Sequence, residues 1–167
     1  MEHDPRTVAA YDRIVALLEQ LEIPCQSWRH QPVLNYDDAA LARHEAGFDG
    51  IESKVVVCET DRGLVVYLTT AGQRMDQRAI KRLTGARSAR LATPDTLMDR
   101  LGAVPGSAYP FGFDASVPIV VDPALYTIDQ LLFSPALPTV TFQISGADLQ
   151  RILASIANPV FEVAPKP

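Results

Sequence analysis

Residues 54–70 read KVVVCETDRGLVVYLTT, and this stretch decides the fold class. Lys54 to Thr60 and Leu64 to Thr70 are two runs rich in β-branched residues, whose stiff side chains pack best on a pleated surface. Asp61-Arg62-Gly63 lies between them as a three-residue connection, with glycine where a positive φ is needed. The spacing predicts a β-hairpin.

Upstream of the hairpin, Val8, Tyr11, Ile14, Val15, Leu18 and Leu21 recur at spacings of three and four, which predicts an amphipathic helix ended by Ile23-Pro24. Cys25 to Arg29 reads as a short strand. Asn35 is placed to cap a second, surface helix that Gly47 stops. Downstream, Met75-Asp76 opens a helix that ends at Gly85, Ser88 to Leu91 is a strand, and Thr93-Pro94 starts a further helix. Gly102 to Ser116 packs proline and glycine around Tyr109, Phe111 and Phe113, the composition of a structured loop. Strands are expected at Val117 to Val121, Leu131 to Phe133 and Thr139 to Ile144. Ser145 and Asp148 then introduce a last helix, with a loose Pro-rich tail from about residue 158. Hairpins mixed with crossover helices give an α+β fold on a mixed sheet, as one domain over residues 1–167.

Fifteen Lys and Arg against twenty Asp and Glu leave a net charge of −5, and 47% of the residues are hydrophobic. The balance is that of a globular chain without the field that drives binding to long nucleic acid, so no DNA partner is expected and any nucleic-acid contact must be local. The longest apolar runs, Leu64 to Leu68 and Val117 to Val121, are far shorter than the roughly 20 residues of a membrane span. No membrane partner and no secretory leader are expected, which places the chain in the cytoplasm. Cys25 and Cys58 form no CxxC pattern and His3, His30 and His44 no ligand spacing, so neither metal nor cofactor is expected.

The nucleophile elbow, the phosphate-binding loop and the dinucleotide fingerprint are all missing. Two features remain: Lys54 at the head of its strand, and the loop Gly106-Ser107-Ala108-Tyr109-Pro110-Phe111-Gly112. Alone, Lys54 fits a solvated strand end equally, and the glycines fit tight turns.

In this order, Lys54 before a valine run, the hairpin, Leu83-Thr84-Gly85-Ala86, Leu91-Ala92-Thr93-Pro94, the Gly106 to Gly112 loop and Val117-Pro118-Ile119-Val120-Val121-Asp122 resemble the YbaK/prolyl-tRNA synthetase editing-domain family. The resemblance covers nearly the whole chain after Pro24. It implies a mostly antiparallel, barrel-like sheet with surrounding helices, and an enzyme that hydrolyses the ester of mischarged aminoacyl-tRNA in trans. The implied partners are the aminoacyl-tRNA acceptor end and a cognate aminoacyl-tRNA synthetase. It also implies catalytic roles for Lys54 and for Gly106, whose bare backbone would approach the ester carbonyl. Substrate contacts would come from His30, Ser107, Tyr109, Pro110, Phe111, Gly112 and Ser134. An activated ester needs a placed nucleophile and a stabilised oxyanion more than a strong base, so loop amides suffice, with water or the ribose hydroxyl attacking. Trp28 and Tyr109 are candidates to stack on the terminal adenine, although core packing explains Trp28 as well.

The chain departs from the family at Ser134-Pro135-Ala136, where the pattern carries Asn-Ala-Gly. Either acyl selectivity has changed or catalysis is impaired. The second outcome leaves a non-catalytic module that binds an aminoacyl group or a nucleotide.

Overall fold

The computed structural model describes residues 2–164. Helix α1 spans Pro5–Gln20 and buries Ala10, Ile14 and Leu18 on one face. It stops before Pro24: Ile23 N–H bonds the Leu18 carbonyl and Glu22 N–H bonds that of Glu19, with Glu22 left-handed at φ 54°. This closing pattern satisfies the last carbonyls without the proline. Strand β1 is Gln26–Arg29 and α2 is Tyr36–Ala46. The Asn35 side chain accepts from Asp38 N–H at 2.8 Å, as an N-cap should.

The hairpin consists of β2, Ile51–Thr60, and β3, Gly63–Thr70. Thr60 pairs with Gly63, so its loop has two residues, Asp61 and Arg62, rather than the expected three, and Gly63 joins the ladder at φ 110°. Helix α3 (Gln77–Thr84), β4 (Ala89–Leu91) and α4 (Pro94–Leu101) follow. After the long loop come β5 (Ile119–Val121), a 3₁₀ turn over Pro123–Thr127, β6 (Leu131–Phe133), β7 (Val140–Ile144), α5 (Gly146–Ser155) and β8 (Val160–Glu162).

All eight strands join one mixed sheet in the order β1-β7-β6-β2-β3-β5-β8, with β4 on β2. Antiparallel pairings outnumber parallel ones: β2 to β6, β3 to β5 and β5 to β8 are parallel and the others antiparallel. Both faces of the hairpin are covered, which is why its sequence is nearly continuously apolar. Val57, Val66 and Leu68 pack into the main core with α1 and the aromatic residues of the long loop. Cys58, Val65 and Tyr67 pack beneath Ala79 and Ile80 of α3.

The expected loose tail is corrected over residues 158–163. Asn158 donates to the carbonyls of Asp114 and Val117, and Val160–Glu162 pairs with β5. Without β8 the outer edge of β5 would present unpaired backbone groups, and three residues are too short a strand to show a sequence period. Residues 165–167 of the expected tail lie outside the described residues.

One consequence of the pairing positions the site. Along the edge of β2 away from β3, Ile51 and Glu52 pair with β6, while Cys58 to Thr60 pair with β4. Between them the edge is open. The Glu52 carbonyl accepts from Ala71 on the β3 side and the Val57 carbonyl from Ala92 on the other. Alternation therefore turns the backbone N–H and C=O of Val55 toward the gap.

Candidate active site

A cleft of about 350 Å³ occupies that gap. Its floor is Ser53 to Val55 of β2, one wall is the start of α2 with Leu34, Asn35 and Tyr36, and the opposite wall holds Gly106, Ala108 and Ser134. His30 and Glu52 close one side. Lys54, Gly106, His30 and Ser134, far apart in sequence, thus come together around one cavity.

Lys54 lines the cleft, and its ammonium donates to the Gln73 carbonyl at 2.8 Å in the turn after β3. That bond holds a mobile side chain and uses one of its three donors. His30 Nδ1 sits 2.7 Å from the Gln31 carbonyl, which only accepts, so this nitrogen carries a proton. Nε2 lies 2.7 Å from the Thr141 hydroxyl. With both nitrogens committed, His30 is a fixed wall rather than a free base.

Gly106 has φ 84°, and a Cβ placed on it would overlap the Leu34 carbonyl and crowd the Leu34 Cα. The expectation that its missing side chain makes room for the ester carbonyl is corrected. That space is filled by the chain leading into α2, and glycine is required so that the two cleft walls can meet. The Gly106 and Ala108 amides donate to no acceptor among the described residues, whereas Ser107 N–H closes a turn onto Val104. Two unspent backbone donors therefore stand in one wall.

Ser107 is 1% exposed and does not line the cleft. Its hydroxyl donates to the Ala136 carbonyl at 3.0 Å and lies 2.7 Å from Ser134 Oγ, so the Ser134 hydroxyl donates to it. Ser107 thus fixes the wall and Ser134 presents its remaining lone pair. Ala136, where the resemblance leads one to expect glycine, has a left-handed φ of 80° and is fully buried. The turn is therefore of a type that favours glycine but is made here without one.

The other expected substrate contacts are corrected. Tyr109 is fully buried, its hydroxyl donating to the Leu101 carbonyl at 2.7 Å. Phe111 is equally buried, with its ring 5.4 Å from that of Phe133. Gly112 packs against Ile14 and accepts from Arg13, and Pro110 faces the interior beside Leu68 and Leu125. Gly106 and Ala108 line the cleft, while Tyr109 to Gly112 turn away from it and supply core. Trp28 stacks on Phe48 with centroids 4.5 Å apart.

The sequence reading missed Asn35, Tyr36, Glu52 and Thr141. Tyr36 is 52% exposed at the rim although it lines the cleft. Glu52 is two residues before Lys54 and bonds Arg43 through Oε1 at 3.2 Å. Burial pushes its carboxyl above the ordinary glutamate range, against the lowering effects of Arg43 and His30. Followed by Ser53 and Lys54 and lying ahead of the valine run, Glu52 carries no sequence signal that marks it as a cleft residue. Neither thiol belongs to the site, and burial pushes both Cys25 and Cys58 up to about 11. Among the described residues no cluster of His, Cys, Asp or Glu is placed to hold a metal ion, and no helix is long and apolar enough to cross a membrane.

Comparison with solved structures finds the same fold at low identity. A "putative trans-editing enzyme for prolyl tRNA synthetase" aligns with a TM-score of 0.71 at 19% identity, over 99% of this chain and 100% of that one. The hypothetical protein APE2540 aligns at 0.74 and 16% identity, over 92% and 99%. A "putative signal transduction protein" of Marinobacter aquaeolei VT8 aligns at 0.58 and 14%, over 90% of this chain but 30% of that one. Curated protein sequences give no match. The family model described as an aminoacyl-tRNA editing domain matches residues 30–152, most of the chain and every wall of the cleft, and the chain therefore belongs to the aminoacyl-tRNA editing-domain family.

Proposed function

We propose that the protein is a deacylase that hydrolyses the ester of mischarged aminoacyl-tRNA in trans in the cytoplasm, with a cognate synthetase as a further partner. The observation that carries this reading is the pair of unspent amides, Gly106 and Ala108, in one wall of a cleft floored by Lys54. An oxyanion developing on the ester carbonyl is stabilised by backbone donors fixed before the reaction, which costs no reorganisation. The Gly106 turn and the Ser107 hydroxyl hold that wall rigid.

Lys54 supplies a point charge for the ribose or phosphate of the terminal adenosine. Tyr36, exposed at the rim, offers the ring on which the adenine stacks, the role the sequence suggested for Trp28 or Tyr109. Of the cleft hydroxyls, Ser134 donates to Ser107 and Thr141 lies 2.7 Å from His30 Nε2, so Thr141 is the one side-chain hydroxyl here that stands beside an imidazole. The attacking oxygen in this reading is that of water, because attack by the ribose hydroxyl would only move the acyl group from one ribose oxygen to the other. Protonation of the departing ribose oxygen restores the hydroxyl as the carboxylic acid leaves.

The test is hydrolysis of a panel of mischarged acceptor-stem minihelices by the wild type and by Lys54→Ala. One or more esters should be cleaved, at least about a hundredfold slower by the variant, with its far-UV circular dichroism unchanged. Full turnover by the variant defeats the role of Lys54. Tight binding of every ester without cleavage leaves the non-catalytic module instead.

A further inference from the structure

Glu52 is the one carboxylate in the cleft wall, and its surroundings leave it half satisfied. Its side chain is 17% exposed, with Oε1 on Arg43 at 3.2 Å. Oε2 has no hydrogen-bond partner among the described residues and is not a fully buried atom. A carboxylate kept only to brace Arg43 would be expected to have both oxygens bonded or both in water, because a largely desolvated anion is costly unless paired.

Position adds a direction. Glu52 and Lys54 are two residues apart on β2, so their side chains leave the same face about 7 Å apart. The cleft is thus polarised along its floor, negative at Glu52 and positive at Lys54. Glu52 lines the cleft whereas its partner Arg43 does not, and one oxygen of the carboxylate is left without a hydrogen bond.

An aminoacyl ester carries complementary charges in the same sense. Its phosphodiester is anionic, and its α-carbon, one bond from the ester carbonyl, bears an ammonium group near neutral pH. With the carbonyl at the Gly106 and Ala108 amides and the nucleotide toward Lys54, the ammonium is the substrate group with a charge to meet Glu52. We infer that Glu52 anchors the α-ammonium of the acyl group. The substrates are then esters of amino acids with a free amine, and N-acylated esters, which place an uncharged amide against the carboxylate, are rejected. This inference rests on the deacylase reading for its substrate, and its test separates the two.

The experiment uses wild type, Glu52→Gln and Arg43→Met. Affinity is measured by calorimetry for a non-hydrolysable 3′-aminoacylamido-adenosine and for its des-amino analogue, alongside hydrolysis of the matching minihelix esters. The wild type should prefer the amine-bearing analogue, and Glu52→Gln should lose about ten- to a hundredfold of that preference, mostly as KM in the hydrolysis assay. Arg43→Met, which keeps the carboxylate, should retain it. Comparing the preference between enzymes cancels the intrinsic effect of an ammonium group on ester reactivity. An unchanged preference in Glu52→Gln overturns the assignment, as does an equal loss in both variants, which would mark the pair as a brace. If the analogues bind with the expected preference but no ester is cleaved, the deacylase reading fails and the anchor stands.

Discussion

Ser134 Oγ lies 2.7 Å from Ser107 Oγ, and the Ser107 hydroxyl in turn donates a hydrogen bond to the Ala136 carbonyl at 3.0 Å. This relay fastens the loop carrying the unspent amides to the segment between β6 and β7, across 27 residues of sequence. Because Ser107 is buried, Ser107→Ala leaves the Ala136 carbonyl without its donor and should cost about 1–3 kcal/mol. Urea unfolding measures the loss, and a change below about 0.5 kcal/mol would mean that the relay contributes nothing to stability.

Gly106→Ala separates two accounts of the loop. A methyl there meets the backbone of Leu34, on top of a left-handed φ. The variant should therefore lose about 3 kcal/mol or more, or fail to fold, from strain and overlap together. Thermal unfolding decides it: an unchanged melting temperature with lost turnover would instead place the methyl at the reacting carbonyl.

Glu22 closes α1 in the left-handed conformation with its side chain exposed, so no contact is sacrificed when the side chain is removed. Glu22→Gly should stabilise the protein by about 1 kcal/mol. A lower urea midpoint than the wild type would contradict the assigned geometry.

Glu52 binds its proton more tightly in the folded protein than in the unfolded chain, because burial outweighs Arg43 and His30; Tyr36 also faces it. The folded state therefore holds more protons than the unfolded state between the ordinary glutamate pKa and the raised one. Stability from this group is greatest below that window and falls as pH rises through it. The stability of Glu52→Gln relative to wild type should accordingly rise across the same interval. Urea unfolding of both proteins at half-unit steps from pH 4 to pH 7 checks the sign, and a difference that stays flat or falls would refute it.

The sequence by itself determined the local punctuation. Asn35, Asp76, Thr93 and Ser145 each cap a helix through their own side chain, and Gly47 and Gly85 end helices in the left-handed conformation. These are contacts within a few residues, so the chemistry that makes them is written in consecutive letters. The hairpin was legible for the same reason, since adjacent strands and a short turn need no distant partner. Lys54, His30 and Ser134 were placed at the cleft by resemblance and lie there.

Only the tertiary structure decided which face of each segment met the cavity. Tyr109 and Phe111 share a loop with Gly106 and Ala108, yet the rings went to the core and the glycine and alanine to the cleft. The sequence order of that loop is silent on the division because it depends on α1 and β6 arriving from elsewhere. The role of Gly106 likewise follows from Leu34, 72 positions earlier. Glu52 became a cleft residue because β2 begins four residues before its valine run and pairs with β6, a strand some 80 residues away. Strand β8 formed because β5 offered a free edge. In each case the determining energy is packing or pairing between distant segments, and such a term leaves no mark on the periodicity of either segment alone.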